Sequence, residues 1–230
     1  VPYIIDKLKC PVYGSKLTID LLKKEAKEFC EDQSKINHSS LIGITDGKAV
    51  GTYVEHSFQK YLCDKYIVEI GNSAEGIDLP SIDILTDIKV TSIKQPQSSC
   101  PFKSASQKIF GLGYNLLIFV YEKRDEVNKC FLNFKNCTFV EKERTSDFTI
   151  TKRLIEMKND GANEEDIISY LIDRNIPGDE ITYNDLAKRI LSENLEQGYL
   201  TISNALQWRL QYSRVISLEN KINGVTNYEW

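Results

Sequence analysis

Apolar and polar positions divide the chain into three regions. Ile19, Leu22, Ala26 and Phe29 recur at helical spacing behind Thr18, a residue suited to cap a helix. The polar segment 33–48, with Gly43 and Asp46-Gly47, reads as a loop. Val54, Phe58 and Leu62 then predict a second helix over about 51–64 with a single buried stripe. Beyond it the period shortens. Residues 66–70, 84–92, 115–122 and 130–140 read as strands, the last as a hairpin because polar residues at 133–136 interrupt its apolar run. Between the second and third, 104–113 predicts a helix with Ser104 as its cap and glycines at its end. The run Leu116 to Val120 is apolar on both faces, as in a strand covered on two sides. From about residue 148 helical spacing returns, with helices predicted at 151–158, 164–174, 183–192 and 202–218. Gly161, Pro177-Gly178 and Gly198 punctuate them. The order implies an α/β (α+β) fold, a mixed central sheet flanked by helices. It also suggests a core over 1–147 and a helical region over 148–230.

Composition changes this picture little. Of 230 residues 41% are hydrophobic and 27% charged, enough for a sizeable core. The net charge of −4 argues against a basic nucleic-acid coat but leaves room for a local basic cleft. The region from 148 onward holds 9 Lys/Arg against 13 Asp/Glu, so it carries the whole excess. No apolar stretch has the length of a membrane span, and the start lacks the pattern of a signal peptide. The six cysteines form no CxxC pair and lie apart from His38 and His56, which disfavours a zinc site. Free thiols in a cytoplasm are expected.

The chemistry concentrates at Gly76-Ile77-Asp78 and at Asp87-Ile88-Lys89. On a strand Asp87 and Lys89 share a face, roughly 6.5 Å apart. Asp83 has the same parity as Asp87 but lies roughly 13 Å along a continuous strand, too far to share an ion with it. Asp78, brought back across a tight connection, is the better partner. Asp-x-Lys alone also occurs as an incidental ion pair on solvated strands, so the surrounding residues matter. Glu55 borders the Val54–Phe58–Leu62 stripe, where it either joins the acids or is an ordinary edge glutamate. Gln107 could orient a water and Lys108 hold a phosphate, unless both lie on a plain helix face. Lys94, Gln95, Gln97 and Lys103 lie in an acid-free loop, 93–103, suited to phosphates and base edges. At the C-terminal end, 183–192 and 201–218 have the look of a helix-turn-helix pair, with Gln207, Arg209, Gln211 and Arg214 facing DNA. A helical cap or a dimer interface explains the same pattern.

The order Glu55, Asp78, Asp87-Ile88-Lys89, Gln107 resembles the PD-(D/E)xK nucleases, and within them the type II restriction endonucleases. The likeness spans roughly 45–122. It departs from the family pattern in having Ile77 rather than proline before Asp78. The resemblance implies a restriction-endonuclease-like fold and hydrolysis of double-stranded DNA at a specific sequence. It implies Mg2+, with Mn2+ able to substitute, held by Asp78, Asp87, the Ile88 carbonyl and Glu55, with Lys89 acting on the attacking water. A homodimer in a bacterial cytoplasm is expected, since a palindrome asks for two active sites. A resolvase or repair nuclease of the same fold, and a non-catalytic helix-turn-helix regulator, are the rival readings.

Overall fold

The structure is a computed structural model and describes residues 10, 14–71, 76–100, 103–203 and 209–230. In chain order its first elements are α1 (Ile19–Gln33), α2 (Gly47–Cys63), β1 (Thr86–Ser92), β2 (Gln97–Ser99) and α3 (Gln107–Phe110). There follow β3 (Asn115–Glu126), β4 (Lys129–Val140), α4 (Phe148–Asn159), α5 (Glu164–Asp173) and α6 (Glu180–Ser192). The chain ends with β5 (Thr201–Ile202), β6 (Arg209–Gln211), α7 (Ser213–Ile216) and β7 (Val225–Glu229). It divides into two compact units. One is Val1–Pro96, Asn115–Phe139 and Thr226–Trp230; the other is Gln97–Tyr114 and Val140–Val225.

The first unit contains a sheet of order β1-β3-β4-β7. β1 runs parallel to β3, with Asp87 opposite Leu116 and Lys89 opposite Ile118. A two-residue link, Val127-Asn128, joins β3 to β4 and makes that pair antiparallel, so the sheet is mixed. Asn128 supplies the left-handed turn conformation, with φ +60°. The 130–140 segment is therefore one strand and not a hairpin. Asn133 and Lys135 fall at half-exposed positions between buried Leu132, Phe134 and Asn136, so the polar residues keep the strand's two-residue period. Residues 66–70 form no strand, only a bridge from Ile67 to Lys16.

Two helices complete the core of this unit. The Thr18 hydroxyl accepts from the Leu21 N–H at 3.3 Å and starts α1 as its sequence suggests. α2 begins four residues before the predicted start because Asp46 caps it, accepting from Lys48 N–H at 3.0 Å. Leu22, Ala26 and Phe29 of α1 pack with Val50, Val54, Phe58 and Leu62 of α2 and with Ile88, Leu117 and Phe119 of the sheet. The Phe58 ring meets Phe29 and Phe119 edge-on, at 5.0 Å each. Cys10 and Cys63 are joined in a disulfide, which corrects the expectation of free thiols for that pair. Their separation of 53 residues carries no local spacing signal. Cys30, Cys100, Cys130 and Cys137 are buried and outside any disulfide among the described residues.

In the second unit α4, α5 and α6 are capped by Asp147, Asn163 and Asp179 and enclose Ile150, Leu154, Ile167, Leu171, Leu186 and Ile190. The predicted helix over 104–113 shrinks to one turn, α3, closed by Gly111 at φ +88°. The predicted helix over 202–218 does not form at its described ends. There β5 and β6 lie in an antiparallel sheet of order β2-β6-β5, followed by the single turn α7. Leu210 and Tyr212 are wholly buried and alternate with the less buried Arg209 and Gln211, a strand period, whereas Tyr212 and Val215, three apart, also fit a helix stripe. Over the described residues, the second helix of a helix-turn-helix is thus replaced by strands and a single helical turn. Among the described residues no helix is long and apolar enough to cross a membrane.

Candidate active site

β1 is an edge strand, and the segment before it folds back along its outer side. Leu79 and Thr86 exchange both backbone hydrogen bonds, each 3.0 Å, around a turn at 80–85. Two residues further along the same edge, the Ile88 N–H donates to the Asp78 carboxylate at 2.7 Å. The N–H and C=O of a strand residue leave on the same side, so the Ile88 carbonyl points outward from that edge too. The Ile88 side chain enters the core, and period-two alternation sends Asp87 and Lys89 the other way. There the Lys89 ammonium lies 2.7 Å from the Asp87 carboxylate.

Asp78 is held from behind as well. The Gly71 N–H donates to its backbone carbonyl at 2.8 Å. A β-carbon on Gly71 would lie 1.9 Å from the Ile77 carbonyl oxygen, so no other residue fits that approach. Gly76, the glycine expected to permit the bend, has φ +71°. Buried Asn115 at the start of β3 fixes the turn: its amide donates to the Ile84 carbonyl at 2.8 Å and its N–H to Leu85 at 2.9 Å. Leu85 itself has φ +22°, a conformation leucine adopts only under constraint. Asp83 is exposed on the turn, so Asp78 is the acid brought to Asp87.

Glu55 reaches the same place from α2. Gly51 on that helix faces Val90 of β1, where a β-carbon would sit 3.8 Å away, and Glu55 is one turn further on the same face. Its carboxyl hydrogen-bonds to Asp78, which hydrogen-bonds in turn to Asp87. Burial pushes all three acids above the ordinary carboxylate range. Asp87 rises to about 7, with Lys89 opposing the rise and the hydrogen bond with Asp78 adding to it. For Asp78 the charge of Glu55 adds to burial, while Asp87 and the Ile88 N–H counteract it. For Glu55 burial is opposed by the Asp78 hydrogen bond and by Lys89. Three acids beside one ammonium form a buried cluster short of positive charge. Among the described residues no three acid, histidine or cysteine side chains form a ready metal cage. An ion that keeps several waters and takes one or two carboxylates, as Mg2+ does, suits a donor set of this kind.

The profile of the family described as Type II restriction enzyme NspV matches residues 16–227. The type II restriction enzyme NspV of Nostoc sp. (strain ATCC 29411 / PCC 7524) is 51% identical over 211 residues, 91% of this chain and 95% of that protein. The chain belongs to the NspV family of type II restriction enzymes. No solved structure matches it.

In this NspV-family chain the remaining sequence-predicted residues fall in several different settings. Lys94 and Gln95 are exposed on the turn after β1, and Lys103 is exposed before α3. Gln97 lies on β2, and Arg209 and Gln211 lie on β6 rather than on a helix. Arg214, in α7, sets its guanidinium 3.8 Å from the centre of the Phe148 ring. Gln207 lies outside the described residues. Gln107 is engaged locally: its side-chain oxygen accepts from Lys103 N–H at 2.7 Å and its amide donates to the Leu112 carbonyl at 3.2 Å. Lys108 is a correction. Only 1% of it is exposed, and burial lowers its pKa against the pull of Asp147, so it is no surface group for a phosphate. Gly71 and Asn115 were missed because backbone hydrogen bonding from a distance leaves no local pattern; the glycine itself was the one available sign.

Proposed function

We propose that Asp78, Asp87 and Lys89 form the catalytic centre of a sequence-specific, Mg2+-dependent endonuclease. As a type II restriction enzyme the chain hydrolyses phosphodiester bonds of double-stranded DNA, and that class generally uses a divalent metal. One observation carries the assignment: Asp78, anchored on the Ile88 N–H across the turn, hydrogen-bonds to Asp87, which pairs with Lys89 at 2.7 Å.

Asp78, Asp87 and the outward Ile88 carbonyl would hold Mg2+ or Mn2+, with Glu55 supporting Asp78 from α2. Bound there, the ion supplies Lewis acidity and neutralises charge beside the scissile phosphate. The burial that raises the acids leaves a strong field for a cation and little water to screen it. Lys89, positioned by Asp87, directs its ammonium to the attacking water or to a phosphate oxygen as negative charge develops. Gln107 as a water-orienting group is a weaker part of this reading, since its amide already serves its own loop. Lys94, Gln95, Gln97, Lys103, Arg209, Gln211 and Arg214 supply contacts to duplex DNA. A homodimer acting in a bacterial cytoplasm completes the proposal, two-fold symmetry matching a palindromic site.

Digestion of a plasmid of known sequence with Mg2+, and mapping of the ends, tests it. Discrete fragments cut at one repeated sequence, abolished by chelation, are expected. Random degradation or cutting only at branched junctions would favour a repair nuclease or resolvase. Binding without cleavage in any divalent metal would favour a regulator.

A further inference from the structure

The antiparallel registers of the small sheet bring together polar residues that are far apart in sequence. Gln97 of β2 lies opposite Gln211 of β6, and Gln211 lies opposite Thr201 of β5. Two pairs along, Ser99 lies opposite Arg209. Residues two apart share a face, so Gln97, Ser99, Thr201, Arg209 and Gln211 line the same side. The other side carries Leu210 and Ile202, both buried. Ser99 and Arg209 are exposed, while Gln97, Thr201 and Gln211 are half-buried.

We propose that this face is the base-reading surface of the enzyme, laid in the major groove of its DNA site. The inference rests on the endonuclease reading above and extends it to specificity. The chemistry fits the groove. Arginine pairs bidentately with guanine, glutamine with adenine, and serine and threonine hydroxyls with either. The five residues include no carboxylate, although the chain has 33 Asp and Glu, so nothing on the face repels phosphate. The dimensions fit as well. Within the sheet the β2–β6 pair is a two-stranded ribbon of the kind that enters a major groove about 12 Å wide, with only the two-residue β5 along its edge. Residues two apart on one strand stand roughly 6.8 Å apart, about two base-pair steps of 3.4 Å. The Gln97–Gln211 row and the Ser99–Arg209 row are thereby spaced to address different base pairs.

The test compares Arg209→Lys, Gln211→Ala and Gln97→Ala with wild type on duplexes carrying the mapped site or that site with one base pair changed. Wild-type cleavage at a mapped sequence first secures the endonuclease reading, so a defect confined to variants bears on the sheet alone. Each variant is expected to lose roughly 5- to 150-fold of discrimination at one symmetry-related base pair, with the other positions read normally. Arg209→Lys separates reading from phosphate contact. It keeps the charge but loses the planar fork, so discrimination falls while the salt dependence of binding is unchanged. Because Arg209 is exposed, that variant tests the proposal even if a glutamine variant fails to fold. Wild-type ratios of cognate to altered-site cleavage in all three variants would overturn it, as would equal loss at every site.

Discussion

In the four-stranded sheet the side chains of Asp87 and Lys89 are 5% and 20% exposed, whereas in the three-stranded sheet Arg209 and Ser99 stand in solvent. Both sheets place polar residues on one face by period two, but to opposite ends. Burial at β1 raises the acids and makes the Lys89 contact strong, at the expense of folding stability. Exposure on β2 and β6 leaves hydrogen-bonding groups for a partner and costs the fold little. The difference teaches where to look for each function. On the proposed reading, the charge cluster that folding alone would avoid serves chemistry, and the acid-free polar face on the small sheet serves recognition.

The sharpest break of that comparison is Asp87→Asn. Cleavage is expected to fall about a hundred- to a thousandfold, as when a single transition-state contact is lost. Stability should move the other way in the metal-free protein. A carboxyl whose folded pKa is raised to about 7 destabilises the fold above that pH, and the effect fades as pH falls toward its unfolded value. Asp87→Asn should therefore raise the melting temperature at pH 8, a gain of about 1–3 kcal/mol, and little at pH 4. Thermal melts with chelator at both pH values check this; a fall at pH 8 would contradict it.

Gly71→Ala should come next. Its β-carbon has no room against the Ile77 carbonyl, so Asp78 must shift. A displacement of about 1 Å is worth roughly a hundredfold in rate, and DNA binding should change far less. Steady-state cleavage beside filter binding separates the two effects. Arg209→Lys belongs after it, altering which sequences are cut more than how fast the cognate site is cut.

The smallest effect is expected at Glu25, a buried acid in the first unit remote from this chemistry. Its carboxylate accepts from Lys65 at 2.6 Å and Tyr66 at 2.7 Å. Burial alone would raise its pKa, but those donors and Tyr61 reverse that and hold it below the ordinary range. Such a group stabilises the fold above its unfolded pKa and loses that contribution as pH falls through the lower folded value. Glu25→Gln should cost about 1 kcal/mol at pH 7, discounted because Lys65 is well exposed, and less at acid pH as the carboxylate takes up its proton. Denaturant melts at the two pH values measure it, and cleavage should be unchanged.

How much of this was legible in the chain follows from the range of the forces involved. The convergence of Asp78 on Asp87 and Lys89 could be read because a turn glycine and strand alternation are local rules. Glu55 showed as an acid on the border of an apolar stripe. Gly71 and Asn115 act through backbone contacts made only after folding. Residues 209–212 misled because Trp208, Tyr212 and Val215 also recur at helical spacing, and the choice was made by pairing with β2, over a hundred residues away. Lys108, in a single helical turn, carried no pattern to announce its burial.

The most direct test of the central claim is Lys89→Ala, measured by single-turnover cleavage of a duplex bearing the mapped site, with affinity for that duplex measured alongside in Ca2+. Cleavage slowed at least about a thousandfold, with affinity within a few-fold of wild type, is the predicted result. Cleavage within tenfold of wild type would remove Lys89, and with it the proposed site, from the chemistry.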